Sequence, residues 1–460
     1  MKVQIVEHLK SIVGENWVVD RIDQMQDYLV DETAGPSCPE PSTDVVVVKP
    51  ADADEISEVL KLANEEAMPV IPRGGGTGLC AAAVPTGPSV IVSLERLNDI
   101  VEVDEDNLTI TCEAGVTLRE LIERAERTES LFFPLRPGDE GAQVGGLIAA
   151  NAGGSRAVQH GVMRNHIKGI EVVLPTGEIT KLGGKVVKNN MGYDLMHLLI
   201  GSEGTLGIIT RAILRLYPRP RMSFSLIIPY EKRSDAIRTV PEILQHGITP
   251  LAIEYVERDL IEESAEHLGE EWPAKEGNAY LYIIVTGADE EALYTASAEI
   301  DQICQSHNAL GTLVAEKKRE QDRILDIRGN IYTSLKADTA DILDVTVPLA
   351  NIGKLMDRVD EIAEEFDTTI PMYGHAGDGN LHPHIIKVDG DAPPYLDEIR
   401  ERIYKEAMAL GGFITGEHGI GKTRVKNLPM LGEKQVELMR GIKKVFDPHD
   451  ILNPGTIVSA

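Results

Sequence analysis

At 460 residues the chain exceeds one ordinary core, and about 150 residues per domain gives two or three. Its 45 Lys and Arg against 74 Asp and Glu leave a formal charge of −29, which argues against nucleic acid and anionic membrane surfaces as partners. Hydrophobic residues at 42% suffice for packed cores, so the acidity does not signal disorder.

In chain order, the start Met1-Lys2-Val3-Gln4-Ile5-Val6-Glu7 breaks any apolar leader with charge, and a cytoplasmic location is expected. Residues 1–40 read as a helical lead-in, with Leu9, Ile12 and Val13 at helical spacing and Gly35-Pro36 and Pro39 as stops. Short strands and helices then alternate. Val45–Val48 reads as a buried strand, Asp54–Glu66 as a helix, and Pro69–Ile71, Ser89–Ser93 and Leu108–Cys112 as strands. Thr117 caps a helix to Arg127. Ile170–Leu174 and Glu178–Leu182 form a hairpin at Pro175-Thr176-Gly177. The strand Gly207–Tyr217 ends at Pro218-Arg219-Pro220, a boundary because proline continues neither a helix nor a central strand. Beyond it the pattern predicts strands over 223–229, 251–256, 279–285 and 342–347, helices over 231–246, 258–268, 288–307, 318–335 and 349–365, and strands around the glycine-rich segment 374–384. Glu433–Phe446 is the last helix before Asn453-Pro454-Gly455. No run is long and apolar enough to span a membrane, which takes ~18 residues.

Two motifs point elsewhere. Gly76-Thr77-Gly78-Leu79-Cys80-Ala81 fits the G-x-G-x-x-A phosphate turn of a nicotinamide-type domain, but only six residues separate Gly78 from Pro85, too few for a crossover helix. Gly416-Glu417-His418-Gly419-Ile420-Gly421-Lys422-Thr423 matches G-x-x-x-x-G-K-[ST] in full, and a P-loop nucleoside triphosphatase is the rival from another class. A phosphate loop needs a solid strand before it and a sustained helix after it. Here Phe413-Ile414-Thr415 precedes it, and Pro429 arrives six residues after Thr423.

Three glycine clusters remain in the first half: Arg73-Gly74-Gly75-Gly76-Thr77-Gly78, the run from Gly145 and Gly146 to Gly153 and Gly154, and Gly201 to Gly207. Glycine amides free of Cβ can converge on phosphate, with Arg73 as countercharge. Three such clusters suggest a long ligand approached repeatedly by backbone. These segments, with Asn151-Ala152-Gly153-Gly154 and Gly192-Tyr193-Asp194-Leu195, resemble the FAD domain of the vanillyl-alcohol oxidase superfamily. The resemblance continues through Tyr373–Pro383 and Gly416–Gly421, which are similar to the paired signatures of the FAD-linked D-2-hydroxy-acid dehydrogenases: the glycolate oxidase large subunit, D-lactate dehydrogenases and D-2-hydroxyglutarate dehydrogenases. It covers about residues 41–458 in the same motif order.

The resemblance implies an α+β protein: a two-subdomain FAD-binding domain over 41–220, a substrate or cap domain with an antiparallel sheet over 221–424, and a C-terminal segment, 425–460, returning to the first. FAD would meet Arg73, Gly74, Gly75, Gly76, Thr77 and Gly78 at its pyrophosphate. Gly146, Asn151, Gly153, Gly154, Gly204, Thr205, Gly207, Ile208 and Asn453 would line the rest. The absence of histidine from Arg73–Gly78 makes non-covalent FAD the expectation. His375 and His382 with Glu417 form a two-imidazole, one-carboxylate set suited to a divalent ion, zinc foremost, with manganese or iron as alternatives.

Oxidising a 2-hydroxy acid sends a hydride from Cα to flavin N5 and the hydroxyl proton to a base, and a metal makes that hydroxyl acidic. His418 is the expected base. Arg328 is the expected carboxylate clamp, assisted by Tyr332. His384, two residues beyond His382, is a ligand neighbour or substrate contact. In the D-2-hydroxyglutarate enzymes a lysine is expected before Asp344-Val345-Thr346-Val347-Pro348, and an asparagine where His384 stands; this chain has Ile342-Leu343 and His384. That favours D-lactate or glycolate over D-2-hydroxyglutarate. Cys38, Cys80, Cys112 and Cys304 contain no C-x-x-C, so electrons must pass to a separate acceptor such as a quinone, an electron-transferring flavoprotein or an iron–sulfur subunit. A homodimer or a place in a redox complex is expected. A catalytically silent flavin-binding subunit is the non-enzyme alternative.

Overall fold

The computed structural model describes residues 3–459. Its first sheet has four strands in the order Val18–Val19, Val45–Val48, Ser89–Ser93, Val70–Arg73. The last three are parallel and Val18–Val19 is antiparallel to Val45–Val48. Every residue of Val45–Val48 and Ser89–Ser93 is buried, as expected of parallel strands covered on both faces. Ala53–Glu65 covers one face with Ile56, Val59, Leu60 and Ala63, and its first turn is capped by Asp52, which accepts the Glu55 amide at 2.9 Å. The lead-in is α-helical only over Val3–Val13; the rest is short 3-10 turns and the edge strand Val18–Val19.

A five-stranded antiparallel sheet follows, ordered Ile100–Asp104, Thr109–Glu113, Ile208–Arg215, Ile167–Val173, Ile179–Gly183. The helix Leu118–Glu126 packs on it through Leu118, Leu121 and Ala125. Its start is a capping box: Thr117 Oγ1 accepts the Glu120 amide at 3.3 Å, and Glu120 Oε2 accepts the Thr117 amide at 2.9 Å. Thr117→Ala should therefore weaken the half built on the five-stranded sheet by about 1 kcal/mol, read as a lower denaturant midpoint for the transition that reports that half. An unmoved midpoint would show that the cap contributes nothing.

Residues beyond Pro220 build an eight-stranded antiparallel sheet ordered Leu313–Ala315, Met222–Tyr230, Ala279–Gly287, Ala252–Glu257, Met372–His375, Asn380–Ile386, Thr339–Ile342, with Val345–Thr346 also on Asn380–Ile386. Helices Arg233–Gln245, Glu290–Ser306, Ile352–Glu365 and Leu396–Ala409 bury their apolar stripes against one face. The chain then returns. Val70 N donates to Ile451 O at 2.7 Å, and Asn453 N to Val70 O at 2.8 Å, so the C-terminal segment extends the first sheet.

Two expectations change in detail, and one segment gains an element. The helix over 318–335 breaks at Asn330 into Lys318–Gly329 and Ile331–Leu335. The strand over 342–347 is interrupted at Leu343-Asp344. The glycine run from Gly145 contains a short helix, Val144–Ala150, ended by Asn151 in the left-handed conformation.

Candidate active site

The glycine clusters form the wall of one cavity of about 440 Å³. Gly74–Gly78 leave the parallel strand Val70–Arg73; Gly145, Gly146 and Gly153 come from the Val144–Ala150 region, and Gly204, Gly207 and Ile208 from the start of Ile208–Arg215. Tyr332, Glu417, His418 and Asn453 also line it, Glu417 directly against Gly153. A Cβ at Gly75 would lie 2.9 Å from the Gly141 carbonyl, and one at Gly145 2.8 Å from Ala114 Cβ, so the backbone must come this close. At Gly146 a Cβ would meet nothing within 4 Å; that open side is the cavity. Gln143 Oε1 and Asp31 Oδ2 are buried on the same wall without hydrogen-bond partners. A glycine-walled trough with polar atoms awaiting partners fits a long, phosphate-bearing cofactor such as FAD.

Three of the sequence-predicted cofactor residues, Asn151, Gly154 and Thr205, are not on the cavity wall, and a fourth, Arg73, lines it with its guanidinium already bonded. Arg73 commits its guanidinium to backbone, donating to Val30 O at 2.8 Å and Asp27 O at 2.6 Å, and so pins the lead-in to the glycine loop. Asn151, Gly154 and Thr205 stand behind the wall. Asn151 Oδ1 accepts the Arg164 amide at 3.0 Å, Gly154 packs on the Arg136 carbonyl, and Thr205 Oγ1 donates to Ser202 O at 2.7 Å. Asn453 is on the wall; its Nδ2 donates to Glu203 O at 2.8 Å and its Oδ1 accepts Lys422 Nζ at 2.9 Å.

His375, His382 and Glu417 do meet. Glu417 Oε1 lies 3.1 Å from His375 Nε2 and 3.5 Å from His382 Nε2, and the two imidazoles sit edge to face with centroids 5.3 Å apart. His418 stacks on His382, with centroids 5.1 Å apart and planes 9° from parallel. His382 Nδ1 and His418 Nδ1 are buried with no hydrogen-bond partner. Burial, then the neighbouring His418 and His375, push the His382 imidazole well below its ordinary range, so it stays neutral, the form that ligates. Burial would also lower His375, but the Glu254 and Glu417 carboxylates override it and hold that ring well above its ordinary range. Two ring nitrogens beside a carboxylate fit a divalent cation, whose charge would take the place of the proton that Glu254 and Glu417 hold on His375.

Four residues of this site carry no motif signal of their own. Glu254 sits in the apolar strand Ala252–Glu257 at 1% exposure, binding His375 Nδ1 at 2.8 Å and Arg328 at 2.5 Å. An acidic residue between Ile253 and Tyr255 in a buried strand is the one hint of it. Asp344, at the strand break, accepts the 415–418 loop. Glu203 is buried and accepts the Ile420 and Gly421 amides at 2.8 and 2.7 Å, tying that loop to the Gly201–Gly207 wall. Arg424, also buried, donates to Tyr404 Oη at 2.9 Å and Ile342 O at 2.7 Å beneath it.

Arg328 is held by Glu254 and lies over the Tyr373 ring, 4.8 Å from its centroid, with its Nε unpartnered. Tyr332 falls on the next short helix, lines the cavity and donates its hydroxyl to Glu32 O at 2.7 Å. His384 is fully buried between Tyr373 and Tyr332, with centroids at 5.4 and 6.2 Å; its Nδ1 pairs with Thr339 Oγ1 at 2.9 Å and its Nε2 is unpartnered. Burial lowers its imidazole to about 3.

Both rival motifs lose their geometry. Gly76–Ala81 opens no helix, and Gly416–Thr423 is an irregular loop with no strand before it and only the short 3-10 turn Val425–Leu431 after it, no sustained α-helix. Lys422 Nζ is spent on Ala82 O and Asn453 Oδ1, both at 2.9 Å. No helix among the described residues is long and apolar enough to cross a membrane.

Comparison with known proteins agrees with this geometry. The family described as FAD linked oxidases, C-terminal domain, matches residues 219–457, and the FAD binding domain matches residues 45–183. The chain is 44% identical to a D-lactate dehydrogenase of Archaeoglobus fulgidus, over 94% of this chain and 95% of that one. It is 35% identical to the glycolate oxidase subunit GlcD of Bacillus subtilis, over 89% and 88% of the two chains. The solved structure of p-cresol methylhydroxylase superposes with a TM-score of 0.77 at 16% identity, covering 99% of this chain and 96% of the other, which shows the shared fold. The chain therefore belongs to the FAD-linked oxidases, in their D-2-hydroxy-acid dehydrogenase group, and is an oxidoreductase of the vanillyl-alcohol oxidase fold.

Proposed function

We propose that the protein oxidises a short D-2-hydroxy acid, D-lactate or glycolate, to the 2-oxo acid, with non-covalent FAD and a divalent cation, zinc foremost. One observation carries this reading: Glu417 Oε1 converges with His375 and His382 where Glu417 and His418 face the glycine-walled cavity. When bound, FAD supplies at N5 the acceptor for the hydride leaving Cα. A divalent ion held by His375, His382 and Glu417 supplies the Lewis acidity that eases loss of the hydroxyl proton.

The protein's own groups do the rest. His418, beside the ligand Glu417 and on the cavity wall, takes the hydroxyl proton. Arg328 keeps an unpartnered Nε for the substrate carboxylate while Glu254 fixes its position. His384 packs between the rings of Tyr332 and Tyr373, and buried Ile342 and Leu343 offer a second carboxylate no cation. Electrons leave the flavin for a separate acceptor, a quinone or a redox protein such as an electron-transferring flavoprotein or an iron–sulfur subunit.

Anaerobic mixing of the flavin-loaded, zinc- or manganese-supplied protein with a substrate panel tests this. D-lactate or glycolate should bleach the flavin within the mixing time course, with L-lactate and D-2-hydroxyglutarate far slower. Fastest bleaching by D-2-hydroxyglutarate would overturn the substrate assignment. A yellow protein bleached by no hydroxy acid would mark it as a silent flavin-binding subunit.

A further inference from the structure

Asp344 lies with His382, Glu417 and His418 in one cluster of possible metal-binding atoms, each within 4.8 Å of the others, and so looks like a fourth ligand. Its hydrogen bonds say otherwise. One oxygen, Oδ2, accepts Thr415 Oγ1 at 2.7 Å and the successive amides of Gly416, Glu417 and His418 at 2.9, 2.8 and 2.7 Å. The other, Oδ1, accepts Asn380 Nδ2 at 2.9 Å. Four donors saturate Oδ2 and a fifth takes part of Oδ1, so the carboxylate is committed to holding the loop. The side chain is fully buried on the strand side of the loop. Consecutive amides converging on one oxygen make an anion-binding nest, and here the anion is the protein's own carboxylate.

We infer that Asp344 is a positioning residue rather than a ligand: its carboxylate folds the 415–418 loop so that Glu417 and His418 meet the histidine pair. The strand break at Leu343-Asp344 turns the carboxylate toward the loop, and Asn380, on the same strand as His382, steadies it from behind. Thr415 secures both ends of the loop, donating to Asp344 and accepting the Gly419 amide at 3.0 Å. The loop is thus shaped before any cation arrives. This inference rests on the cation site proposed above.

The test uses flavin-loaded full-length enzyme and the variants Asp344→Asn, Asp344→Ala and Thr415→Val. Hydrogen exchange of peptides spanning 413–421, measured after chelation, reads the loop without metal. Mn²⁺ titration and the Mn²⁺ activation constant read the site. In Asp344→Asn the amides of Gly416 to His418 should exchange several-fold faster, and Mn²⁺ affinity should fall about 10- to 100-fold, as for other residues that orient ligands. Flavin content should hold, and kcat should return to within a few-fold of wild type at saturating Mn²⁺. Thr415→Val, which removes one donor and no candidate ligand, should shift both readouts the same way by a smaller factor. Unchanged exchange in Asp344→Asn would overturn the inference. So would Thr415→Val binding Mn²⁺ as wild type does while Asp344→Ala binds none, the pattern of a direct ligand. Wild-type protein that takes up no Mn²⁺ or zinc would remove the cation site itself, and the exchange rates would still decide whether Asp344 shapes the loop.

Discussion

Glu417→Gln should leave the protein yellow and folded but unable to hold a divalent ion, and hydroxy-acid bleaching should slow about 10³-fold, the several kcal/mol that a Lewis acid contributes. The argument is local. Glu417 Oε1 is the atom closest to both His375 Nε2 and His382 Nε2, at 3.1 and 3.5 Å, and an amide oxygen there brings no charge to balance a dication. Its backbone amide still reaches Asp344, so the loop keeps its shape. FAD depends on the glycine wall, and the isosteric amide still fits against Gly153 of that wall. Elemental analysis, the 450 nm flavin band and stopped-flow reduction measure the three quantities separately. Full metal content with full activity would remove Glu417 from the site.

His418→Ala should separate the base from the cation. The variant should retain flavin and metal yet lose about 10²- to 10⁴-fold in the anaerobic reduction rate, the range for a positioned general base. The imidazole borders the cavity and stacks on His382 rather than pairing with Glu417 or His375, so its loss opens a space beside the ligands without taking one away. Reduction at the wild-type rate would assign the proton to another group. Parallel loss of metal would make His418 a ligand, as its place in the cluster with Asp344 allows.

The legible parts of this chain were those carried by local pattern or contiguous motif. Val45–Val48, Ser89–Ser93 and Glu433–Phe446 follow from apolar runs and periodicity between clear stops. Thr117 is legible as a cap because Glu120 stands three residues on. His375, His382, Glu417 and His418 were readable because their segments are glycine-bordered and resemble known signatures. What sequence hid is long-range. The helix Leu396–Ala409 follows Pro393-Pro394 and mixes charge into its face, so its stripe emerges only against the large sheet. Arg73 looked like phosphate countercharge because a glycine loop follows it, yet the lead-in folds back and takes its donors, which no nearby residue announces. Arg328 was readable as a cation near the substrate, but its partner Glu254 lies 74 positions earlier, on the strand Ala252–Glu257. Asp344 reads as one more strand residue until the loop from Thr415 to His418 is seen around it.

The most direct test of the account is a crystal of the FAD-loaded enzyme soaked in Mn²⁺ or zinc and measured at the metal's absorption edge. A single anomalous peak at the cavity's end, within bonding distance of His375, His382 and Glu417 and not of Asp344, is the predicted result. A peak elsewhere, or none beside a fully occupied flavin, would contradict it.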